Sequence, residues 1–516
     1  MTVRFAGGKD YEGVACFKIT KGDRDPRQIP DSERGAFYFN SKWAADVRVI
    51  SSEIMPTMSL GAFSTYFYPP GSGTSSYTWC ADNYSNAGNS VQQLNYYRNS
   101  SFPDLVYDLP LHEVKPIRIT NGRFVQNGMI ISYRGYEDRG TRRSTPNAAY
   151  YGWCKNYRDG LRTVVGSVDG IPQLPAFPTT PSSGSERFRS ALAVWNLPGD
   201  ETPIRDGIPQ APIFGQRVIV INKDGIKVAK PGFDTRTATT TQLALDSSKR
   251  PAKIIAADDI ALPAGVTEYN LGFAVPASTL VDVHYYIGNT IYYPASPSDL
   301  NFGGEHWISG GKLYFNNVAA CRARFIVYAF DNTPQTVGNN DVWRRLMVDG
   351  QRVIQVLRPG ASANPSFADI VLDSRWPCLQ ILKEGFIPVG SGLQEHNITF
   401  EGGAEVFPFV KYTTVHPGQA TSGLGVAIDK SVRQPRVAIG RVTHGGSVHV
   451  PLYQCGDSTY CRLTDTQATF YTARGAPIWA FWATSQDYTN KNVTYEYDVA
   501  PLYGIRYYIF GLPKKD

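Results

Sequence analysis

Residues able to do chemistry are few and scattered in this sequence. Of the seven histidines, only His444 and His449 lie close enough to meet on a hairpin, five apart across Gly445-Gly446. No carboxylate or cysteine stands beside them at ligand spacing, so they read as a turn or surface pair, and no metal or cofactor is expected. Asp258-Asp259 and Glu137-Asp138 are adjacent carboxylates. Neighbours on a strand point to opposite faces, so neither pair forms the acid/base dyad of glycoside hydrolysis. No phosphate-binding P-loop, dinucleotide glycine fingerprint, nucleophile elbow or calcium loop occurs. The expectation is a non-enzyme, and carboxylates that meet only in the fold keep a carbohydrate-degrading enzyme as an alternative. Cys455 and Cys461 flank five residues; a disulfide across a hairpin and two reduced thiols both satisfy that spacing.

One stretch has the composition of a binding surface. Residues 133–162 interleave Tyr133, Tyr136, Tyr150, Tyr151, Trp153 and Tyr157 with Arg134, Arg139, Arg142, Arg143, Lys155, Arg158 and Arg162, against Glu137, Asp138 and Asp159. Seven basic residues against three acidic ones leave an excess of four positive charges. Tyrosine and tryptophan offer rigid contact area, and arginine forks onto carboxylate or phosphate. Three readings stay open: aromatics packed under their own loop, an interface with another protein, and a surface on which sugars stack. The stretch lies inside a long segment, 64–190, rich in Gly, Ser, Asn, Tyr and Pro. There Pro172, Pro175, Pro178 and Pro181 recur every third residue and favour an extended polyproline-like path. Insertions of this kind go into loops, and loops carry binding function more often than scaffold strands do.

The elements that position these residues are strands. The chain has 516 residues, enough for about three domains. Its 48 glycines, 35 prolines and 31 tyrosines, with only 19% charged residues, describe a chain that turns often and buries aromatics. That composition excludes a helical bundle, a coiled coil and a disordered chain. A net charge of +6 is mild and argues against a nucleic-acid partner. No apolar run approaches 18 residues, so no transmembrane helix or membrane insertion is expected. The start, MTVRFAGGKD, lacks the apolar region of a secretory signal, which implies synthesis in the cytoplasm. Alternation in 281–287 and 290–293 about Gly288-Asn289 predicts a hairpin. Gly310-Gly311 before Lys312 predicts another turn and strand, and residues 90–95 allow a short helix.

Internal repeats organise the chain. Lys18-Ile19-Thr20-Lys21-Gly22 is matched by Lys227-Val228-Ala229-Lys230-Pro231-Gly232 and by Gln355-Val356-Leu357-Arg358-Pro359-Gly360. Each is an alternating strand that stops at a glycine turn, with Ile or Val on one face and the basic residues on the other. A second element follows: Asn40-Ser41, Asp246-Ser247 and Asp373-Ser374, at 18, 14 and 13 residues after the turn glycine. The acid or amide there is expected to bond a nearby backbone N–H and shape a turn before the next strand. A third element pairs Gly215-Gln216-Arg217-Val218-Ile219 with Gly350-Gln351-Arg352-Val353-Ile354 and, more loosely, with Gly504-Ile505-Arg506-Tyr507-Tyr508. Before each comes an apolar strand, at 193–196, 327–330 and 479–482. The expected fold is all-β: three tandem antiparallel β-sandwich-like modules, 1–222 with the long insertions, 223–354 and 355–516, joined by short extended linkers. Pro231-Gly232 and Pro359-Gly360 are expected to end strands that join two modules, because proline cannot continue a central ladder.

The strand-turn K-V-x-K-P-G, a Thr/Ala-rich segment, and an apolar-Asp-Ser step before a Lys-Ile strand resemble a repeat domain of tailed-bacteriophage virion proteins from tail or tail-tip regions. Residues 227–255 carry the match, through Lys227 to Gly232, Thr237-Ala238-Thr239, Leu245-Asp246-Ser247 and Lys253-Ile254. The third copy lacks the Thr/Ala segment and the first lacks the proline. The resemblance implies a structural virion component in the tail tip, collar or fibre region, assembled as a symmetric homo-oligomer and bound to other phage virion proteins. It supplies no catalytic residue. A host surface glycan is the alternative partner. Without coiled-coil heptads, a compact part is expected rather than a long fibre shaft.

Overall fold

The computed structural model describes residues 3–44, 49–54, 64–67, 78–86, 89–99, 108–112, 131–132, 151–154, 162–165, 191–204, 209–248, 253–273, 275–276, 279–293, 304–317, 319–329, 334–339, 342–402, 405–417, 428–433, 435, 437–444, 448–455, 459–474, 492–493 and 502–514. Regular structure among them is all β, apart from three-residue 3-10 turns at Arg34–Ala36, Thr240–Gln242 and Phe367–Asp369.

The repeated strands Ala15–Lys21, Gly225–Ala229 and Gln351–Leu357 are each the middle of a three-stranded antiparallel sheet. Val3–Lys9, Ile219–Asn222 and Trp343–Val348 form one edge; Phe37–Asn40, Leu243–Asp246 and Ile370–Asp373 close the other. A 3-10 turn precedes every closing strand. The ladder slips at one corresponding place in each sheet, between Ile19 and Thr20, Val228 and Ala229, and Val356 and Leu357. Lys18 faces Asn40, Lys227 faces Asp246 and Gln355 faces Asp373.

The turn after each closing strand has one chemistry. Oδ1 of Asn40, Asp246 and Asp373 accepts the N–H two residues on, from Lys42, Ser248 and Arg375, at 3.0, 3.0 and 2.9 Å. The serine that follows locks the turn to the central strand. Oγ of Ser41, Ser247 and Ser374 accepts the N–H of Phe17, Ile226 and Ile354 at 2.9, 2.8 and 3.0 Å. Each serine N–H in turn bonds the carbonyl of that same residue. These buried donors and acceptors are thereby satisfied where the ladder ends.

Beyond the turn the chain enters a second, inner sheet, again repeated in order. The first strand pairs with the last and the last with a middle one: Val49–Ile54, Ala191–Pro198 and Asp108–His112; Lys253–Leu262, Cys321–Ala329 and Thr279–Tyr286; Gln380–Pro388, Gly504–Pro513 and Val406–Pro417. The first-to-last pairing carries an irregularity in all three, next to Trp195, Ile254 and Ile381. Two clusters draw on every repeat. One joins Phe17, Ile19 and Phe39 to Ile226, Val228 and Leu245 and to Val342, Val356 and Val371. The other joins Leu197 and Ile204 to Ile254, Ile326 and Tyr328 and to Phe407, Phe409, Tyr508 and Phe510. The repeats thus share cores. Further clusters fill the sandwiches outside, around Val283, Phe315 and Phe325, and around Tyr412, Phe470 and Ile509.

Several expectations change. Gly288 has φ +75 as a turn requires, yet Ile291–Tyr293 does not pair with Thr279–Tyr286. It joins Thr459–Leu463 instead, because Ile291 and Tyr293 bury against Phe470 and Tyr412. The Gly310-Gly311 hairpin forms, with φ +57 and +78 and Ser309 opposite Lys312. Residues 90–95 are not helical; they lie in the strand Asn89–Asn99, which pairs with Thr78–Asn86 and, from Asn95 on, also with Ile428–Arg433. The third repeat element does not superpose, since Gly215 leads into an edge strand, Gly350 into a central one and Gly504 into an inner sheet. Ile219–Asn222 and Trp343–Val348 pair with the strands after them, so sheet membership places the repeats' starts before 223 and 355. Residues 479–482 lie outside the described residues.

Gly22, Gly232 and Gly360 all have left-handed φ, +74, +87 and +78. Pro231-Gly232 and Pro359-Gly360 turn the chain from the central to the closing strand of one sheet rather than ending a strand that joins two modules. They do touch the connection between repeats: Gln210 N–H donates to Pro231 O at 2.8 Å, and Gly338 N–H to Gly360 O at 2.9 Å.

Replacing Ser247 or Ser374 by alanine leaves a buried N–H unpaired and is expected to cost about 1–3 kcal/mol in urea unfolding. A loss below about 0.5 kcal/mol at both sites would show that the serine does not fix the turn.

Candidate functional site

Tyr133, Tyr136, Arg142, Arg143, Tyr150, Tyr157 and Arg158 lie outside the described residues, as do Glu137 and Asp138. Tyr151 and Trp153 lie on the strand Tyr151–Cys154, which pairs with Arg162–Val165 and sets Trp153 opposite Thr163. His444 ends the strand Val437–His444, and His449 sits opposite Thr443 on its partner. Cys455 ends the strand Val448–Cys455. Cys461 belongs to a different sheet, opposite Tyr293 and Phe470, where it is a buried free thiol, so it forms no bridge to Cys455. Burial pushes its pKa up, which makes it a poor nucleophile.

The sequence reading missed a charged cluster at the end of the first central strand. Asp10, Glu12 and Asp31 bring three carboxylates within 4.8 Å of one another, the geometry of a cation site. Two lysines already occupy it. Lys18 Nζ lies 2.9 Å from both Asp10 and Asp31, and Lys42 Nζ lies 2.6 Å from Asp10 and Glu12 and 2.5 Å from Asp31. A metal ion would have to displace both ammonium groups. Lys18 reads from sequence as the polar face of an alternating strand, yet its side chain is 1% exposed. The available signal was Asp10-x-Glu12 before a repeated lysine strand. Burial alone would raise the Asp10 pKa, but hydrogen bonds from Lys42, Lys18 and the Val14 N–H outweigh it and hold the carboxyl at about 2. Lys18 and Lys42 are raised despite their own burial, by the carboxylates they bond. The third sheet holds its own version: Asp373 accepts from Gln355 at 2.6 Å and from Arg375 at 2.6 and 2.9 Å.

Charged side chains also cross the seams between repeats. Asp259 is a strut: it holds Arg322 and Arg324 and accepts the Tyr286 hydroxyl at 2.6 Å. Arg324 reaches into the third repeat, donating to Pro408 O at 2.9 Å and pairing with Asp465 at 3.2 Å. Lys411 and Asp282, both buried, form an ion pair between the same two repeats. The His284 ring packs 4.3 Å from Phe409, and burial first, then Lys411 and Arg324, drive its pKa well down and keep it neutral. Tyr508 Oη donates to Pro198 O at 2.6 Å and Thr413 to Gly199 O, tying the third repeat to the first.

Among the described residues, two clefts border the small sheets. A cleft of about 370 Å³ draws on all three repeats, with Lys21 and Tyr38, then Tyr269 and Phe273, then Arg352 and Arg375 in its wall. A wider one of about 840 Å³ lies between the edge strand Val3–Lys9 and the hairpin 343–357, and it carries Arg4, Arg27, Arg345 and Arg352. Each is lined by a single carboxylate, Asp349 in the smaller and Asp25 in the larger. Neither therefore offers the paired acids of glycoside hydrolysis. Cationic and aromatic walls suit recognition of anionic partners.

Compared with family models, with curated proteins and with solved structures, the chain matches none of them.

The lysine cluster makes stability depend on acid pH. Because the Asp10 pKa is depressed, its contribution is fully present above the ordinary carboxylate value of about 3.9 and is lost as pH falls through about 2. Asp10→Asn is expected to flatten the fall in thermal stability between these pH values. At neutral pH it should cost about 3–5 kcal/mol, because two buried ammonium groups lose a partner. An unchanged slope would place the acid sensitivity elsewhere.

Proposed function

We propose that this chain is a structural component of a tailed-phage virion, in the tail-tip, collar or fibre region, where it binds neighbouring virion proteins as part of a symmetric oligomer. The observation that supports this most directly is the threefold-repeated pair of sheets built around shared cores. A chain whose repeats share cores and are joined at a seam by the buried Lys411–Asp282 pair is suited to holding other proteins at fixed positions. The first repeat departs from the other two by the long segment between Val49–Ile54 and Ala191–Pro198. That segment carries the arginine and aromatic residues of 133–162, and binding residues lie on inserted segments more often than on scaffold strands. A neighbouring virion protein meeting this region through aromatic and arginine anchors is the favoured partner.

A host-surface glycan is the second reading, favoured by Tyr151 and Trp153 on one strand. The triple variant Tyr151→Ala, Trp153→Ala and Arg158→Ala separates the two. Loss of the protein from purified particles, read by immunogold labelling in negative stain, is the expected result for a virion interface. Normal particles that fail to adsorb would indicate the glycan surface. Normal particles that adsorb and infect at the parental rate would show that the cluster only packs its own loop.

A further inference from the structure

We propose that the cleft between the outer edge of the strand Val3–Lys9 and the hairpin 343–357 takes up an extended acidic segment of a partner protein, bound as an added β-strand. Among the described residues, Val3–Lys9 pairs on one side only, with Ala15–Lys21, and no backbone hydrogen bond occupies its outer side. Such an edge is a template for another strand, and natural edges are usually blunted by charge, proline or bulges. Here Arg4 and Lys9 stand toward the ends, and the middle is Ala6-Gly7-Gly8. Gly8 takes φ +133, a backbone that residues with side chains rarely adopt, and a Cβ there would meet nothing within 4 Å, so no side chain of the described residues covers this part of the edge. The corresponding edges of the other repeats are shorter, four and six residues against seven.

The facing wall says what kind of strand would fit. Arg345 and Met347 alternate along Trp343–Val348, and Arg352 stands opposite Met347 in the ladder, so the three share one face. The Arg345 guanidinium lies 5.2 Å above the Phe5 ring, which holds it over the cleft. Of the four arginines, Arg4 is paired with Asp23 at 3.4 Å and Arg27 with Asp25 at 2.8 Å. Arg345 and Arg352 form no ion pair with a described residue, which leaves their charge for an incoming carboxylate. Met347 is 66% exposed and supplies an adaptable apolar contact between them. A segment that alternates acidic and small apolar residues matches this face, and its backbone completes the open ladder. A glycan or nucleic acid could meet the arginines but not the ladder, so the edge favours a peptide. This docking edge is separate from residues 133–162 and does not depend on which assembly the chain serves.

Fluorescence anisotropy of a labelled octapeptide alternating Glu with Thr and Val, titrated with the full chain at low salt, tests the assignment. Saturable binding is expected, weakening steeply as ionic strength rises past the range where surface charges are screened. Arg345→Glu with Arg352→Glu should weaken it at least about tenfold, the loss expected for two charge-assisted contacts. N-methylation of alternate peptide nitrogens should weaken it comparably, because it removes the ladder. Circular dichroism and melting of the double variant check its fold, and Met347→Glu, a single exposed change, repeats the test if the double variant is unfolded. Equal binding by the variants, or by the N-methylated peptide, would overturn the proposal. So would tighter binding of a single-stranded oligonucleotide or a sulfated oligosaccharide through the same arginines.

Discussion

The structure depends on the fact that a three-stranded sheet with strands of four to seven residues cannot bury its own apolar face. Phe17 and Ile19, Ile226 and Val228, and Val356 and Val371 need cover, and each set finds it in the other two. Every fully buried side chain of this size contributes roughly 1.5–3 kcal/mol, so opening one sheet exposes apolar surface on all three. That differs from a linear solenoid, in which each repeat touches only its neighbours and stability adds along the chain. Here the repeats share cores, and folding of any one is tied to the others. The inner sheets repeat the arrangement around Tyr328, Phe409 and Tyr508.

Three similar sheets raise the problem of mispairing, and the polar residues address it. The Lys18 position is lysine in the first and second sheets and glutamine in the third; the position two residues after the Asx is Lys42, Ser248 and Arg375. Lys18 needs Asp10 and Asp31, while Gln355 needs Asp373. A strand placed in the wrong sheet would leave a buried charge unpaired, which costs more than a correct pair contributes. The Lys411–Asp282 pair and the Arg324 bonds act likewise at the inner seams, since a slip of one rung strands a buried ammonium or guanidinium. These pairs are better understood as fixing which sheet meets which than as sources of net stability.

What could be read from the sequence was what local pattern encodes. Alternation marked the central strands, left-handed glycine marked the turns, and the Asx-Ser step identified a turn whose hydrogen bonds are all local or one strand away. The failures share a cause. Ile291–Tyr293 looked like half of a hairpin, but its partner is Thr459–Leu463, and nothing near Gly288-Asn289 encodes a contact so distant in sequence. Residues 90–95 looked helical because short polar stretches carry little period, and pairing along Thr78–Asn86 decided for strand. The Gly-Gln-Arg-Val-Ile element misled because similar strand sequences serve an edge in one sheet and a centre in another. The lysine cluster was hidden because alternation cannot tell an exposed polar face from a buried, neutralised one.

Sheet order also bears on how the first repeat's long segment is held. Three of its strands, Ser64–Phe67, Thr78–Asn86 and Asn89–Asn99, extend the inner sheet of the third repeat, where Asn89–Asn99 pairs with Ile428–Arg433. The chain beside the first small sheet makes a second link to the third repeat's inner strand, through the Ala44–Gln380 bridge and the bond from Gln380 to Arg34 O at 3.2 Å. Gly35 shows how close this approach is, since a Cβ there would lie 2.2 Å from that of Glu405. Ser64–Phe67, Thr78–Asn86 and Asn89–Asn99 are therefore held by backbone ladders on the third repeat, and moving them would break that sheet. These three strands thus lie in the first repeat in sequence and belong by hydrogen bonding to the third repeat's inner sheet.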